Sequence, residues 1–426
     1  EALTRSHLVT VKSYDIEIDL REVASSPVFR SSTVVNFLAE PGQSTFIDAV
    51  ASSVHRVTLN GTTLDPALVF ADSRISLSDL MAHNTLEVVG DFSYTNSGEG
   101  LHRFIDPVDD EIYLYSQFEV PDSRRVFAVF EQPDVKATFA FRVHAPASWQ
   151  VISNQPTPSP VATDGGATWA FTPTPRISSY ITALIAGPYQ VVRSELTSSS
   201  GRVIPLGIFA RASLFEYLDS DYLFDITKKG FSYFEEKFGI AYPFEKYDQL
   251  FVPEFNAGAM ENAGAVTFTE TYIFRSQVSD ATRERRVVTI LHELAHMWFG
   301  DLVTMRWWND LWLNESFAEW ASTIATAQAT EWTGAWTTFQ AMEKSWAYRQ
   351  DQLPSTHPVV ATINDIEDVQ VNFDGITYAK GGSVLKQLVA WVGEEAFFAG
   401  VHNYFRKHQW SNAVLADFLT ELEDSS

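Results

Sequence analysis

Residues 292–296 read His-Glu-Leu-Ala-His, and this short stretch decides how the rest of the chain is interpreted. On a helix, side chains four residues apart lie on one face, so both imidazoles can reach one ion. Neutral imidazole suits zinc, and Glu293 projects beside the metal, where it can act on a water molecule. Apolar neighbours predict a buried helix over Asp280–Gly300, with Asp280 or Thr282 as its N-cap.

A catalytic zinc site needs three protein ligands and one open position. The metzincin pattern would place a third histidine at position 302, where this chain has leucine, so that pattern is excluded. Glu315, nineteen residues after His296, can complete the ligand set from a neighbouring antiparallel helix predicted over Asp310–Thr330. Glu319, one turn later, is expected to accept the remaining N–H of His292. A solvent-exposed helix glutamate is the alternative reading of Glu319.

Alternating apolar and polar residues predict strands through the first ~190 residues. Clear examples are Val11–Leu20, Thr33–Leu38 and Ala137–Val143, and Asn60-Gly61 predicts a hairpin turn. We therefore expect an N-terminal antiparallel β domain of saddle or sandwich type over residues 1–188.

The pattern changes to a helical period in the second half of the chain. Ser213–Phe238 predicts a helix that ends at Gly239, and further helical pattern covers Gly382–Leu422. Strands are expected between Leu250 and Phe274. The predicted fold class is α+β multidomain, with a second, mixed α/β domain over residues 189–426.

Composition narrows the classes of function. The 426 residues include 30 Lys plus Arg and 54 Asp plus Glu, a net charge of −24, which excludes a general nucleic-acid binder and favours cationic ligands. No apolar run is long enough to span a membrane. The chain has no cysteine, so disulfides and cysteine catalysis are excluded. This suits a cytoplasmic protein, and a leader removed before Glu1 is also compatible with the sequence.

Four further stretches resemble the aminopeptidase N family of gluzincin metallopeptidases, and bacterial members of it most of all. Residues 258–262, Gly-Ala-Met-Glu-Asn, match its exopeptidase signature. Residues 307–315 match the segment around its third zinc ligand, and 373–381 match the segment that carries its catalytic tyrosine. Residues 117–125 resemble the segment that supplies a second anchoring carboxylate. The matches occur in the family order across most of the chain.

The resemblance implies a thermolysin-like catalytic domain that binds one zinc ion per chain through His292, His296 and Glu315. It implies a peptide hydrolase in which Glu293 is the general base and Tyr378 donates to the oxyanion. The substrates would be peptides with a free N-terminal amine and a neutral or basic first residue. The residues implied to bind them are Glu119, Glu261, Gln117, Gly258, Ala259, Met260 and Asn262. Glu119 and Glu261 would hold the amine, the backbone near Gly258 would pair with the peptide, and Met260 would contact the first side chain.

Two other functions stay open at this point. A related class hydrolyses a lipid epoxide and usually has glycine where Ala259 stands, so the alanine favours a peptidase. A non-catalytic binding module would need neither Glu293 nor Tyr378. The family usually continues into a small β domain and a large helical domain, which we expect to be absent from this chain. Ser316 stands where the family often has glycine, and serine suits a helix at least as well.

Overall fold

Long strands with one buried face build the first part of the chain. The computed structural model describes all 426 residues, apart from the side chain of Glu367. The strands of this part are β1 (Val9–Asp19), β2 (Val28–Ala39), β3 (Thr45–Asp48), β4 (Ser53–Leu59), β5 (Thr62–Leu64), β6 (Phe70–Ala71), β7 (Arg74–Leu77), β8 (His83–Ser93), β9 (Gly100–Ile105), β10 (Ile112–Gln117), β11 (Thr138–Ala145), β12 (Gln150–Ser153), β13 (Val161–Thr163), β14 (Gly166–Ala170) and β15 (Leu184–Gly187). Two short helices, α1 (Ala2–Leu8) and α2 (Pro66–Val69), accompany them.

These strands form three sheets. The largest has eight strands in the order β13-β14-β11-β1-β2-β8-β4-β5, and the others have the orders β12-β15-β10-β9 and β3-β7-β6. The hairpin predicted at Asn60-Gly61 joins β4 to β5. The strands of these sheets pair antiparallel as predicted, except that β1 pairs with β11 in parallel. The chain returns to the free edge of β1 only after a long excursion through β10, so a hairpin geometry is not imposed there.

The second part combines helices with a five-stranded sheet and one separate pair of short strands. Its five-stranded sheet has the order β16-β17-β18-β20-β19. The strands are β16 (Gln190–Thr197), β17 (Val203–Ala210), β18 (Tyr247–Val252), β19 (Ala259–Met260) and β20 (Ala265–Thr269), and β21 (Thr304–Met305) pairs separately with β22 (Asn412–Ala413). The helices are α3 (Ala212–Phe215), α4 (Ser220–Phe238), α5 (Asp280–His296), α6 (Trp312–Ala329), α7 (Ala335–Ala341), α8 (Glu343–Asp351), α9 (Ile366–Gln370), α10 (Gly381–Val392), α11 (Glu394–His408) and α12 (Leu415–Glu423).

The β-rich part followed by a mixed part confirms the predicted α+β fold class. The change of sheet falls between β15 and β16, where the sequence placed its boundary between residues 188 and 189. The division into two domains at that residue stays a prediction.

The helix predicted over Ser213–Phe238 is two helices in the structure. The chain leaves the helical path before Asp219, which precedes the first residue of α4. Asp219 lies at this break, and the guanidinium of Arg286 donates to both of its carboxylate oxygens at 2.8 and 2.7 Å. Gly239 ends α4 in the left-handed region at φ 65°, as its position predicted.

Helix α5 differs slightly from its prediction at both ends. Its N-cap is Ser279, whose hydroxyl oxygen accepts the N–H of Thr282 at 3.3 Å, so neither Asp280 nor Thr282 caps it. The α-helical run ends at His296, and Gly300 lies in the turn beyond it at φ 123°. Helix α5 packs against α4 on one side, where Gly230 allows a close approach to Leu291 and Leu294, and it packs against α6 on the other. This packing holds the 292–296 stretch rigidly inside the molecule.

Candidate active site

Three side chains from two packed helices meet at the end of α5. The Nε2 atoms of His292 and His296 are 3.0 Å apart. The Oε2 atom of Glu315, on α6, lies 3.2 Å from the first nitrogen and 3.4 Å from the second. All three residues are at most 9% exposed. The structure therefore brings the predicted ligands into one small triangle of donor atoms.

The other ring nitrogens of the two histidines face oxygen acceptors. The Nδ1–H of His296 donates to the carbonyl oxygen of Phe299 at 2.9 Å. The Nδ1 atom of His292 lies 3.4 Å from Oε2 of Glu319, which is buried, so Glu319 is not the exposed glutamate of the alternative reading. With both protons on Nδ1, the two Nε2 lone pairs point into the triangle.

This donor set fits a zinc ion. Ligand atoms about 2.0–2.1 Å from a tetrahedral zinc ion are separated by about 3.3 Å, which is close to the three distances of the triangle. Two imidazole lone pairs at 3.0 Å repel each other, and a shared cation turns that repulsion into coordination. Two nitrogens and one carboxylate oxygen also leave the fourth position open, as in hydrolytic zinc sites.

Glu293 lies beside the triangle and is 5% exposed. Burial raises the pKa of Glu293 to about 7, although the neighbouring imidazoles act to lower it. An oxygen of Glu293, one of Glu261 and a nitrogen of His296 all lie within 4.8 Å of one another. A carboxylate with a pKa close to neutral can both accept and return a proton.

A second group of acids adjoins the ligands. One carboxylate oxygen each of Glu119, Glu261 and Glu315 lies within 4.8 Å of the other two. Among the described residues, no hydrogen-bond partner reaches Oε1 of Glu119 or Oε1 of Glu261, although both atoms are buried. Burial, together with neighbouring carboxylates, raises the pKa of both residues. Such a cluster is poised to receive a cation.

Two predicted amides flank these acids. Gln117 ends β10, and its buried Oε1 has no hydrogen-bond partner among the described residues. Asn262 directly follows Glu261, and its Nδ2–H donates to Oγ1 of Thr267 at 3.2 Å. The first residue therefore presents a free acceptor, while the second ties the 258–262 segment to β20.

The segment with Gly258, Ala259 and Met260 forms the edge of the five-stranded sheet. Strand β19 pairs with β20 on one side only, with Ala259 opposite Phe268 and Met260 opposite Thr267. Its other edge is free to pair with an extended peptide. Gly258 is exposed, so its backbone is accessible from the cleft side of the segment. Met260 is buried, and its flexible side chain packs inside the molecule.

Tyr378 reaches the site from a different direction. It lies in a single π-helical turn, Ile376–Lys380, and its ring stacks on His292 with centroids 5.9 Å apart. Burial, assisted by nearby carboxylates, raises the pKa of the Tyr378 hydroxyl well above 10. The hydroxyl therefore remains a hydrogen-bond donor at neutral pH.

A cleft of about 180 Å³ opens onto this arrangement. Sequence reasoning missed six of its lining residues: Arg285, Val288, Thr289, Glu343, Trp346 and Ala257. The first three precede His292 by seven, four and three residues on α5, so the helical period could have placed them on the ligand face. Glu343 and Trp346 come from α8, and no local pattern marks them.

Two sequence profiles of one peptidase family match this chain. The Peptidase M1 N-terminal domain matches residues 16–181, and the Peptidase family M1 domain matches residues 222–426. Together they cover both the β-rich part and the part that carries the ligands. The chain belongs to peptidase family M1.

Curated relatives agree with this assignment. An aminopeptidase N of Streptomyces lividans is 62% identical over the whole chain, which covers 50% of that protein. A probable aminopeptidase 2 of Sulfurisphaera tokodaii is 34% identical over 89% of this chain and 48% of its own length. A leucyl aminopeptidase of Saccharolobus solfataricus is 33% identical over 89% of this chain and 47% of its own length. The chain thus spans about half the length of these relatives.

No helix among the described residues is both long enough and apolar enough to cross a bilayer.

Proposed function

We propose that this chain is an aminopeptidase that uses one zinc ion to hydrolyse the first peptide bond of peptides with a free N-terminal amine. His292, His296 and Glu315 would hold the ion. The observation that carries the proposal is that carboxylate oxygens of Glu119 and Glu261 lie within 4.8 Å of Glu315 in this triangle. The buried Oε1 atoms of both residues have no hydrogen-bond partner among the described residues. A metal site alone suits any hydrolase, but a metal site with an adjoining anionic pocket suits a substrate whose amine lies next to its scissile bond.

Glu293 is the proposed general base. Zinc, when bound, supplies a Lewis acid that polarises the scissile carbonyl and acidifies water. Glu293 accepts the proton of the attacking water and later delivers it to the leaving amine, a role that its pKa of about 7 supports. Glu319 keeps the imidazole of His292 in orientation through the contact at Nδ1.

Tyr378 is the proposed oxyanion donor. Tyr378 lines the cleft beside the predicted ligands and its hydroxyl stays protonated, so the hydroxyl would donate to the carbonyl oxygen as negative charge develops there. Donors of this kind contribute roughly 2.7–4 kcal/mol to the stabilisation of a transition state. A binding module would have no use for a donor at this place.

The carboxylates select the substrate. Glu119 and Glu261 would bind the protonated amine, and the free edge of β19 would pair with the peptide backbone at Gly258 and Ala259. Gln117, Met260 and Asn262 would complete the contacts with the first residue. We propose a broad preference for neutral or basic first residues, because the acidic balance of the chain disfavours acidic ones. A role in peptide breakdown would follow from the proposed activity. A cytoplasmic location, which the absence of cysteine suits, stays a prediction.

The test is a set of fluorogenic aminoacyl substrates, each with a free or an acetylated amine. We expect the chain to release the reporter only from free amines, to lose activity with a chelator and to regain it with zinc. Release from acetylated substrates would indicate an endopeptidase. Zinc binding without any release would indicate a binding module, and turnover of a lipid epoxide alone would indicate the related hydrolase class.

A further inference from the structure

The turn that carries Tyr378 is held by side chains outside the reaction site. Asp374 is 7% exposed, and its Oδ1 accepts the N–H of Ile376 at 2.9 Å and that of Thr377 at 3.1 Å. These bonds cap the start of the π-helical turn. The N–H of Lys380 donates to the carbonyl oxygen of Gly375 at 2.9 Å, which closes the turn. Turns of this type are rare and need local support.

Gln350, on α8, contacts two residues that lead into this turn. Its Nε2–H donates to Oδ2 of Asp374, and its Oε1 accepts the N–H of Gly375 at 2.8 Å. His357 adds a second contact to Oδ2 of Asp374 at 2.7 Å. One amide side chain thus contacts both the capping carboxylate and the backbone N–H of the residue that precedes the turn.

Helix α8 also touches Tyr378 itself. Trp346 precedes Gln350 by four residues, so both side chains lie on one helix face. Its ring stacks on that of Tyr378 with centroids 6.3 Å apart. Gly375 allows this approach, because a Cβ atom there would lie 3.0 Å from the Trp346 ring and 3.2 Å from Cα of Ala347. The helix therefore braces the turn at close range.

We infer that Gln350 is a positioning residue, which sets the place of the Tyr378 hydroxyl through Asp374 and Gly375; this inference rests on the proposed function. Loss of the amide removes one of the two side-chain contacts to Oδ2 of Asp374 and the only acceptor of the Gly375 N–H among the described residues. The tyrosine would then occupy several positions, and its contact with the developing oxyanion would weaken. Substrate binding would change little, because Gln350 is absent from the residues that line the cleft.

The first test is a double-mutant cycle with Gln350→Ala and Tyr378→Phe. We expect Gln350→Ala to lower kcat by about tenfold to a hundredfold, to change KM less than twofold and to leave the zinc content unchanged. In the Tyr378→Phe background the same change should have no further effect. Gln352→Ala is the matched control, since that exposed glutamine lies two residues away. An equal loss of kcat in both backgrounds, or an effect on KM alone, would overturn the inference.

A donor and acceptor exchange tests the same contact without shortening a side chain. Gln350→Glu places a second carboxylate against Asp374, and we expect it to lower kcat as much as the alanine variant does. Adding Asp374→Asn supplies an amide that can donate to the introduced carboxylate. The double variant should therefore recover at least half of the decrease in log kcat. Failure of this rescue would contradict the inference, even if Gln350→Ala does not fold.

Hydrogen exchange separates this inference from the proposed function. The amides of residues 375–380 should exchange at least tenfold faster in Gln350→Ala than in the unchanged chain, while those of α5 should not change. This readout applies even if the chain hydrolyses no aminoacyl substrate, a result that would refute only the proposed function. Unchanged exchange in the turn would refute the positioning role.

Discussion

The imidazole of His102 donates from Nε2 to a carboxylate oxygen of Glu254 at a distance of 3.1 Å. His102 belongs to β9 of the β-rich part, whereas Glu254 belongs to the loop that leads to β19. The N–H of Gly98 donates to Nδ1 of the same ring at 3.0 Å, so the neutral form with its proton on Nε2 satisfies both contacts. The β-rich part thereby contacts the loop that leads to the edge strand β19.

The fold around His102 should be less stable in acid, because protonation of Nδ1 removes the acceptor of the Gly98 N–H. Burial lowers the pKa of His102 below its ordinary value of 6.5, although Glu254 acts in the opposite direction. Below pH 6.5 the unfolded chain then binds more protons at this residue than the folded chain, so stability falls as the pH falls. For one proton, the slope cannot exceed about 1.4 kcal/mol per pH unit.

The check is urea unfolding at several pH values between 5 and 8. His102→Gln keeps an acceptor for Gly98 and a donor for Glu254 but does not titrate, so its stability should depend less on pH than that of the unchanged chain. Identical pH slopes for the two proteins would show that folding does not lower the pKa of His102.

Glu293→Gln should separate metal binding from turnover. The change removes the base but leaves the donor atoms of His292, His296 and Glu315 intact. We expect kcat to fall by about 10²–10⁴, with one zinc ion still bound per chain. Metal analysis of the dialysed protein and rates on an aminoacyl substrate provide the measurement. A variant that loses the ion, or one that keeps its activity, would contradict the assignment of the base.

Glu261→Gln should chiefly weaken the binding of the substrate amine. A hydrogen bond between charged groups contributes about 1.5–3 kcal/mol, so KM for a free-amine substrate should rise by about tenfold to a hundredfold. Glu119→Gln should act in the same direction. The result to look for is a KM change that exceeds the kcat change. If kcat alone falls, the carboxylates act in the chemical step and not in amine recognition.

Gly230→Ala should destabilise the fold although alanine favours helices. A Cβ atom at this position would lie 2.4 Å from Cδ2 of Leu291 and 2.8 Å from Cδ2 of Leu294. Overpacking of this kind costs about 1–3 kcal/mol, which outweighs the gain in helix propensity of about 1 kcal/mol. We expect a net loss of about 1 kcal/mol in chemical unfolding. Gly334→Ala meets no atom within 4 Å and serves as the control.

Features fixed by spacing along one element could be predicted from the sequence. The helix that bears His292 and His296, the second helix with Glu315, and the hairpin at residues 60–61 follow from local periods and turn residues. Contacts between distant elements could not, since nothing near Gln350 or Glu254 in the sequence indicates its partner. The same holds for the parallel pairing of β1 with β11.

The same distinction between local patterns and distant contacts applies to the residues of the candidate site. Glu119 and Tyr378 entered through resemblance to a family and not through any local pattern. Only tertiary structure places them with the ligands. The break before Asp219 was also missed, and the residue that contacts Asp219, Arg286, lies 67 residues away in the sequence.

The carboxylates that would hold the amine come from both parts of the chain. Glu119 follows β10, whereas Glu261, Glu315 and both histidines come after β18. A fragment that begins after residue 188 would therefore keep all three proposed ligands of the ion. It would lose Glu119, one of the two carboxylates proposed to bind the amine. Such a fragment would bind the ion but would discriminate poorly between the N-terminal peptide bond and internal peptide bonds. If the proposed function is right, exopeptidase activity would thus require both parts of the chain.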